Sequence, residues 1–223
     1  MKKVFRLLAL GSVLLFSALN AEEVSPEPLK PDGFYLGVGG GATFNITLLS
    51  KGYYQDDTTT YSSGDLSDTD VGFIVYGGYQ INKIIAVEAA YTDYGSFSDT
   101  VSKVLQPGVE TFKSDPNSVS VYANAGYTFS NGLRPFGQIG LGYLMLNGSR
   151  SLEAIDIDDS ISMRFGLGLE YAPANLSGFG FRVAYVEDVA MDVSYNADDN
   201  GNDTSTLLMN VNGMLYVGAQ YKF

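Results

Sequence analysis

The 223-residue chain contains no cysteine and no histidine. Without cysteine, the protein has no disulfide framework, no thiolate metal site and no lipid-modified N-terminal cysteine. Without histidine, it lacks the side chain that most often serves as a general base and as a zinc ligand. These two absences argue against an enzyme, and we expect no catalytic residue, no metal site and no cofactor.

Basic residues are scarce as well. The chain has 13 Lys and Arg against 25 Asp and Glu, which gives a formal net charge of −12. A chain this acidic is a poor partner for nucleic acid or for anionic lipid headgroups. Tyrosine (16), phenylalanine (13) and glycine (26) are abundant, and this composition favours a β-rich protein with close backbone contacts.

The N-terminus carries the pattern of an export signal. An apolar run over residues 7–19 follows three basic residues and ends shortly before Ala21. The run is shorter than the roughly 20 residues of a membrane-spanning helix, so it predicts a cleaved signal peptide over residues 1–21. Residues 22–32 are rich in proline and charge, which predicts an extended periplasmic lead-in. We expect one domain over residues 33–223.

Apolar and polar residues alternate in eight segments of that domain, and this period of two predicts β-strands. The clearest segment is the sixth, in which an apolar row from Ile161 to Tyr171 alternates with Ser162, Arg164, glycines and Glu170. The predicted strands cover residues 34–44, 70–80, 84–93, 118–129, 134–146, 160–171, 178–186 and 210–223.

The connections between these segments alternate in length. Three to six residues join strands two to three, four to five (through Asn131-Gly132) and six to seven. The other connections are long and polar, at residues 45–69, 94–117, 147–159 and 187–209. Short turns at one end and long loops at the other predict an all-β fold, a transmembrane eight-stranded antiparallel up-and-down β-barrel with its short turns in the periplasm.

Alternation alone does not say whether the apolar face points inward, as in a soluble lipocalin-like barrel, or outward into lipid. The apolar rows of the predicted strands hold no charge between their ends, and the opposite rows combine many glycines with a few charges. Aromatic residues lie at both ends of the apolar rows, which is the pattern of two membrane interfaces. We therefore expect the apolar face to contact lipid.

The last nine residues, 215–223, form an amphipathic strand in which Gly218, Tyr221 and Phe223 are spaced Gly-x-x-Tyr-x-Phe. This ending resembles the C-terminal signal by which bacterial outer-membrane barrels are recognised for insertion. The resemblance implies that the barrel-assembly machinery is a partner of this strand.

Other segments resemble a known family. Residues 77–83 (GGYQINK) with 87–91 (VEAAY), and 134–136 (RPF) with 140–143 (GLGY), look like strands of the outer-membrane protein A-like and opacity-like eight-stranded barrels. The resemblance implies a Gram-negative outer-membrane protein surrounded by lipid and lipopolysaccharide. Because the chain ends at its eighth predicted strand, we expect no peptidoglycan-binding domain after it.

The polar rows predict a network of charges inside the barrel. Glu170 and Arg182 fall on adjacent strands and are expected to pair, and Glu88 is expected opposite Tyr76. Four cations facing two carboxylates suggest either a plug of paired charges or a narrow, porin-like channel that favours anions. An eight-stranded interior is just wide enough to be filled by side chains, which favours the plug. The predicted network is Glu88, Arg134, Arg164, Glu170, Arg182 and Lys222.

The four long loops hold 17 of the 25 acidic residues. They form either a merely solvated surface or a surface for adhesion and recognition of host or other ligands. Residues 156–159 and 198–203 are dense in oxygen ligands suited to calcium, but neither has the spacing of a helix–loop–helix calcium loop. The sequence therefore predicts a structural outer-membrane barrel with acidic loops, with a narrow channel as the alternative.

Overall fold

The computed structural model describes residues 32–53, 60–63, 70–102, 109–147, 159–197 and 203–223. The predicted signal peptide, residues 1–21, lies outside them, as does the predicted lead-in except for Asp32. The domain boundaries at residues 21 and 32 therefore stay predictions.

Eight antiparallel strands close into a barrel, in which each strand pairs with the next along the chain and the last pairs with the first. This confirms the predicted fold. No helix in the described part of the chain has the length and apolar character to cross a membrane. The barrel strands are β1 (Gly33–Tyr53), β3 (Asp70–Gln80), β4 (Ile85–Asp93), β7 (Asn117–Gly126), β8 (Leu133–Met145), β9 (Ser160–Tyr171), β10 (Phe179–Ala197) and β11 (Asp203–Lys222).

The described part of the chain contains three further, short strands that lie outside the barrel wall. β2 (Thr60–Ser63) pairs with the upper part of β1, and β5 (Phe97–Ser102) pairs with β6 (Val109–Ser114) as a separate hairpin. Residues 94–117 connect the third and fourth barrel strands as predicted, but this long connection contains the hairpin of β5 and β6.

The pairing register sets the tilt and width of the barrel. A path that starts at Phe34 and steps from each residue to its paired neighbour on the next strand goes once around the barrel. It returns to β1 at Phe44, ten residues further along the strand. Eight strands with this shear tilt by about 40° and place the backbone about 8 Å from the axis. Ten residues then climb about 25 Å along the axis, the height of a transmembrane apolar band. The path runs through Phe34, Tyr79, Val87, Ala123, Ile139, Phe165, Glu187, Gly213 and Phe44.

The apolar rows point outward. Leu167 and Ile161 expose 65% and 74% of their surface, as expected of side chains that contact lipid. Ring pairs mark both edges of this apolar belt: Phe179 with Tyr221 at the short-turn end, and Phe73 with Tyr91 toward the long loops. The predicted outward orientation of the apolar face is confirmed.

Several strand ends differ from the prediction. The fourth barrel strand ends at Gly126, not at residue 129, and the chain continues through a turn in which Gly132 adopts a φ of +84°. The loop expected over residues 187–209 is mostly strand, because β10 runs to Ala197 and β11 begins at Asp203. β1 likewise continues to Tyr53.

The extension of β10 brings a carboxylate into the outward row. Glu187 falls between Tyr185 and Val189 on this face, so the expectation of charge-free apolar rows fails at this position. The cause is the misplaced loop boundary, which had put Glu187 outside the strand.

Candidate functional site: the charged lumen

An ion pair crosses the centre of the lumen, the space enclosed by the inward-facing side chains. Arg182 on β10 donates from Nη2 to Glu88 Oε1 at 2.8 Å and from Nη1 to Glu88 Oε2 at 3.0 Å. Both side chains are fully buried. β4 and β10 are opposite walls, because three strands of the closed order lie between them on either side. This charge-assisted pair therefore joins the two walls directly.

Further donors surround the Glu88 carboxylate. Asn124 Nδ2 donates at 2.7 Å and Gln138 Nε2 at 3.1 Å, and the Tyr35 hydroxyl also donates to it. Five hydrogen bonds from four strands thus converge on one carboxylate. A buried charge needs this degree of pairing to offset its desolvation.

Glu170 links Arg182 to the periplasmic end of the lumen. Arg182 Nη2 bonds Glu170 Oε1 directly, and Arg134 Nη1 lies 3.3 Å from Glu170 Oε2. Lys222 is nearer the rim, where its Nζ donates to Gln80 Oε1 at 3.0 Å. We call Glu88, Arg134, Glu170 and Arg182, together with their amide and tyrosine partners, the lower cluster.

Aromatic rings support the Arg182 guanidinium. Its Cζ lies 4.1 Å from the centroid of Tyr76 and 5.0 Å from that of Phe136, within the range of cation–π attraction. Gly37 makes room for Tyr76, because a Cβ at residue 37 would overlap the tyrosine ring. This explains why glycines interrupt the inward rows.

A second cluster lies closer to the long loops. Arg164 Nη1 is 3.0 Å from Asp188 Oδ2, and both side chains are fully buried. Tyr94, directly after β4, donates its hydroxyl to the same oxygen at 2.6 Å, and Ser118 donates at 2.5 Å. Arg164 Nη2 also reaches Thr92 Oγ1 at 3.1 Å. This upper cluster again joins the β4 and β10 sides of the barrel.

Asp188 changes the charge balance expected of the lumen. Asp188 falls in the predicted loop 187–209, so only two inward carboxylates were expected. With Asp188 the buried guanidinium groups of Arg134, Arg164 and Arg182 face three buried carboxylates. Among the buried side chains that the structure describes, the positive and negative charges are therefore equal in number, and the expected excess of positive charge is not found. The alternation Val189, Met191, Val193, Tyr195 continues past residue 186 and would have revealed the longer strand.

The position of Tyr76 was also wrong. Glu88 lies opposite Gly78, and Tyr76 lies opposite Ala90, a shift of two residues. The error arises from the turn after β3, where the side chain of Asn82 accepts hydrogen bonds from the backbone of residues 84 and 85 and sets the hairpin register.

The C-terminal residues of the proposed insertion signal lie at the seam between β11 and β1. Gly218 pairs with Gly39 on one side and Arg182 on the other. Tyr221 and Phe223 point outward and their rings meet at 5.2 Å. The Phe223 amide donates to the Phe34 carbonyl at 2.9 Å and prolongs the closing ladder to the last residue.

Most of the acidic loop residues lie outside the described residues, including residues 156–158 and 198–202 of the two calcium-like segments. Among the side chains that the structure describes, no group of three or more carboxylates is placed to hold a metal ion.

These features define a closed eight-stranded membrane barrel with an apolar outer wall and a charge-paired interior. Residues 8–223 match the family described as the outer membrane protein beta-barrel domain, and the chain belongs to that family. It is an outer-membrane β-barrel protein, as the sequence resemblance implied.

Individual relatives agree with this assignment. The chain is 25% identical over 176 residues to outer membrane protein A of Klebsiella aerogenes, covering 77% of this chain and 44% of that protein. It thus spans less than half the length of this relative. OprG from Pseudomonas aeruginosa is similar in fold, with a TM-score of 0.57, 15% identity and coverage of 86% of this chain and 97% of that chain. AlkL, determined in DMPC lipid bilayers, is also similar in fold, with a TM-score of 0.54, 16% identity and coverage of 92% of this chain and 96% of that chain.

Proposed function

We propose that this protein is a non-catalytic, structural barrel of the outer membrane, with a closed lumen and a loop surface that serves adhesion or recognition. The observation that carries the closed lumen is the ion pair between Glu88 and Arg182 on opposite walls. A solute crossing the barrel would have to separate a buried, doubly hydrogen-bonded pair, which is strongly unfavourable.

The upper cluster supports the same proposal at a second level. Tyr94 and Asp188 again join the β4 and β10 sides, six residues further along the strands than Glu88 and Arg182. Six residues correspond to about 20 Å of extended strand. Opening the lumen would require both the Glu88–Arg182 contact and the Tyr94–Asp188 contact to break at once. This is strongly unfavourable, because each break leaves polar or charged groups unpaired in the interior.

Planar-bilayer recording tests the closed lumen. Wild-type protein is expected to give no stable single-channel steps, whereas the double variant Glu88→Ala/Arg182→Ala removes the lower bridge and is expected to raise conductance. Lys222→Ala, at the rim, is the matched control and should leave the recording unchanged. Stable wild-type steps whose size changes in Arg182→Ala would instead establish the narrow channel.

The strand extensions support the recognition role. β1, β10 and β11 remain paired up to Tyr53, Ala197 and Asp203, nine residues beyond Phe44 on β1. Nine residues amount to about 30 Å of strand, so the hairpin is raised above the apolar belt. Its acidic composition favours basic ligands.

Replacing residues 193–207 with a two-residue turn tests this surface. The shortened protein should fold, shown by its heat-modifiable mobility on a gel, but lose salt-sensitive binding to cells or matrix. Binding equal to that of the wild type would remove this hairpin from the recognition surface.

We also propose that the barrel-assembly machinery recognises the C-terminal strand through Tyr221 and Phe223. Their outward, exposed rings at the β11–β1 seam support this. Deletion of Phe223 should reduce the amount of folded protein in outer-membrane fractions more than Phe129→Ala does. Phe129→Ala is the control, because it removes another exposed phenylalanine ring at the same edge of the barrel. Equal levels for both variants would contradict the proposal.

A further inference from the structure

Glu187 is a half-buried carboxylate on the lipid-facing wall of the barrel. Its row continues on both sides with uncharged residues, and Met191, two positions beyond Val189, is 63% exposed. A charged group on the lipid-facing wall is unfavourable inside the apolar band of the membrane. Its presence there therefore suggests a functional site.

Aromatic side chains form a niche around this carboxylate. The Tyr185 hydroxyl donates to Glu187 Oε2 at 2.6 Å. The rings of Phe44 and Tyr185 stack, with centroids 6.0 Å apart and planes 11° from parallel. Phe44 lies over Gly213, the residue paired with Glu187 on β11. The niche therefore combines one negative charge with two aromatic faces.

The register places the niche at a defined depth. Starting from Phe34, Glu187 is reached after six of the eight neighbour steps of the path around the barrel. Three quarters of the ten-residue climb is about 19 Å, in an apolar band about 25 Å tall. Phe73 and Tyr91, a ring pair of the upper aromatic girdle, lie at a similar height. Glu187 therefore lies about 6 Å below the upper edge of the band, close to the zone in which lipid headgroups of the outer leaflet meet the wall.

No basic group of the described side chains forms an ion pair with Glu187. Asp188, its neighbour, points into the lumen and is engaged by Arg164. The charge of Glu187 is therefore left for a partner that reaches it from the membrane side.

We propose that Glu187, Tyr185 and Phe44 form a binding site for the ammonium group of an outer-leaflet lipid headgroup. The carboxylate attracts the cation, and ring faces add cation–π attraction, which strengthens as water is excluded. A lipid is the occupant because apolar residues lie above and below the carboxylate on the same wall, so that access is through the lipid phase.

Native mass spectrometry of the folded barrel with defined lipids tests this site. The probes are phosphatidylethanolamine, which carries an ammonium group, and phosphatidylglycerol with the same acyl chains, which carries none. The wild type should retain the amine lipid at least fivefold more than phosphatidylglycerol. Glu187→Gln keeps the shape and the acceptor for Tyr185 but removes the charge, and it should reduce this ratio to about one. Phe44→Leu should reduce it partly.

Asp159→Asn is the matched control. Asp159 is an exposed carboxylate near the same end of the barrel, 3.4 Å from the Tyr143 hydroxyl. Among the described residues Tyr143 belongs to no ring pair, and removal of the Asp159 charge should leave the ratio unchanged. Heat-modifiable gel mobility verifies that every variant is folded. A wild-type ratio near one, or a folded Glu187→Gln protein with the wild-type ratio, would overturn the proposal.

Discussion

The guanidinium of Arg182 donates to both carboxylate oxygens of Glu88, at 2.8 and 3.0 Å, across the full width of the barrel. The two residues are 94 positions apart in the chain and lie on opposite walls. Their pairing therefore couples the first half of the barrel to the second without any intervening backbone contact. Such a contact stabilises the closed form only when both partners are present, because either charge alone is buried without compensation.

Asp188 is expected to behave as an interior residue. Asp188→Asn should lower the free energy of unfolding by about 3–5 kcal/mol, because it leaves Arg164 without its carboxylate in a fully buried site. Urea unfolding in lipid vesicles measures this. Asp159→Asn, at an exposed position, should change stability by less than about 0.5 kcal/mol. Similarly small effects for both variants would contradict the buried position of Asp188.

Two glycines of β8 should respond differently to alanine. A Cβ at Gly140 would overlap the backbone of Val121 and the Cβ of Tyr122, whereas at Gly137 the nearest atom is 3.8 Å away. Gly140→Ala should cost about 1–3 kcal/mol through overpacking. Gly137→Ala should be neutral or stabilising by up to about 1 kcal/mol, since glycine is unfavourable in a strand. The same unfolding assay distinguishes them, and equal costs would contradict the inward position of Gly140.

Arginine substitutions can measure how deep an outward-facing residue lies in the membrane. Leu167 and Val71 are exposed to similar extents, 65% and 58%. The register places them at about 11 and 23 Å above Phe34. Leu167→Arg, at mid-membrane, should cost about 2–4 kcal/mol, and Val71→Arg, near the interface, about 0–1 kcal/mol. Costs that do not depend on depth would be inconsistent with a lipid-facing wall.

The alternation of apolar and polar residues in the sequence predicts most of the barrel strands. The sixth predicted strand, residues 160–171, has the same bounds as β9, because each outward position from Ile161 to Tyr171 is apolar and the inward positions are small or polar. The outward direction of these rows followed from the same residues, since aromatic residues at both row ends satisfy two water–lipid interfaces.

The strand ends and the lumen contacts were less predictable. β10 and β11 extend beyond the membrane, and the polar pair Glu187 and Asp188 looks like the start of a loop in the sequence, although the outward alternation from Val189 to Tyr195 continues the strand. The partners of Arg182 depend on residues 12 and 94 positions away. Adjacent strands suggested Glu170, but no local pattern points to Glu88, because that contact is set by closure of the whole barrel.

The central claim, that Glu88 and Arg182 hold opposite walls together, is tested most directly by a double-mutant cycle. Glu88→Gln, Arg182→Met and the double variant would be unfolded reversibly by urea in vesicles of one lipid composition. Each single change should cost about 3–5 kcal/mol. The double variant should cost about 2–3 kcal/mol less than the sum, because the two changes remove the same interaction. Costs that add to within about 0.5 kcal/mol would show that the two charges do not act as a pair.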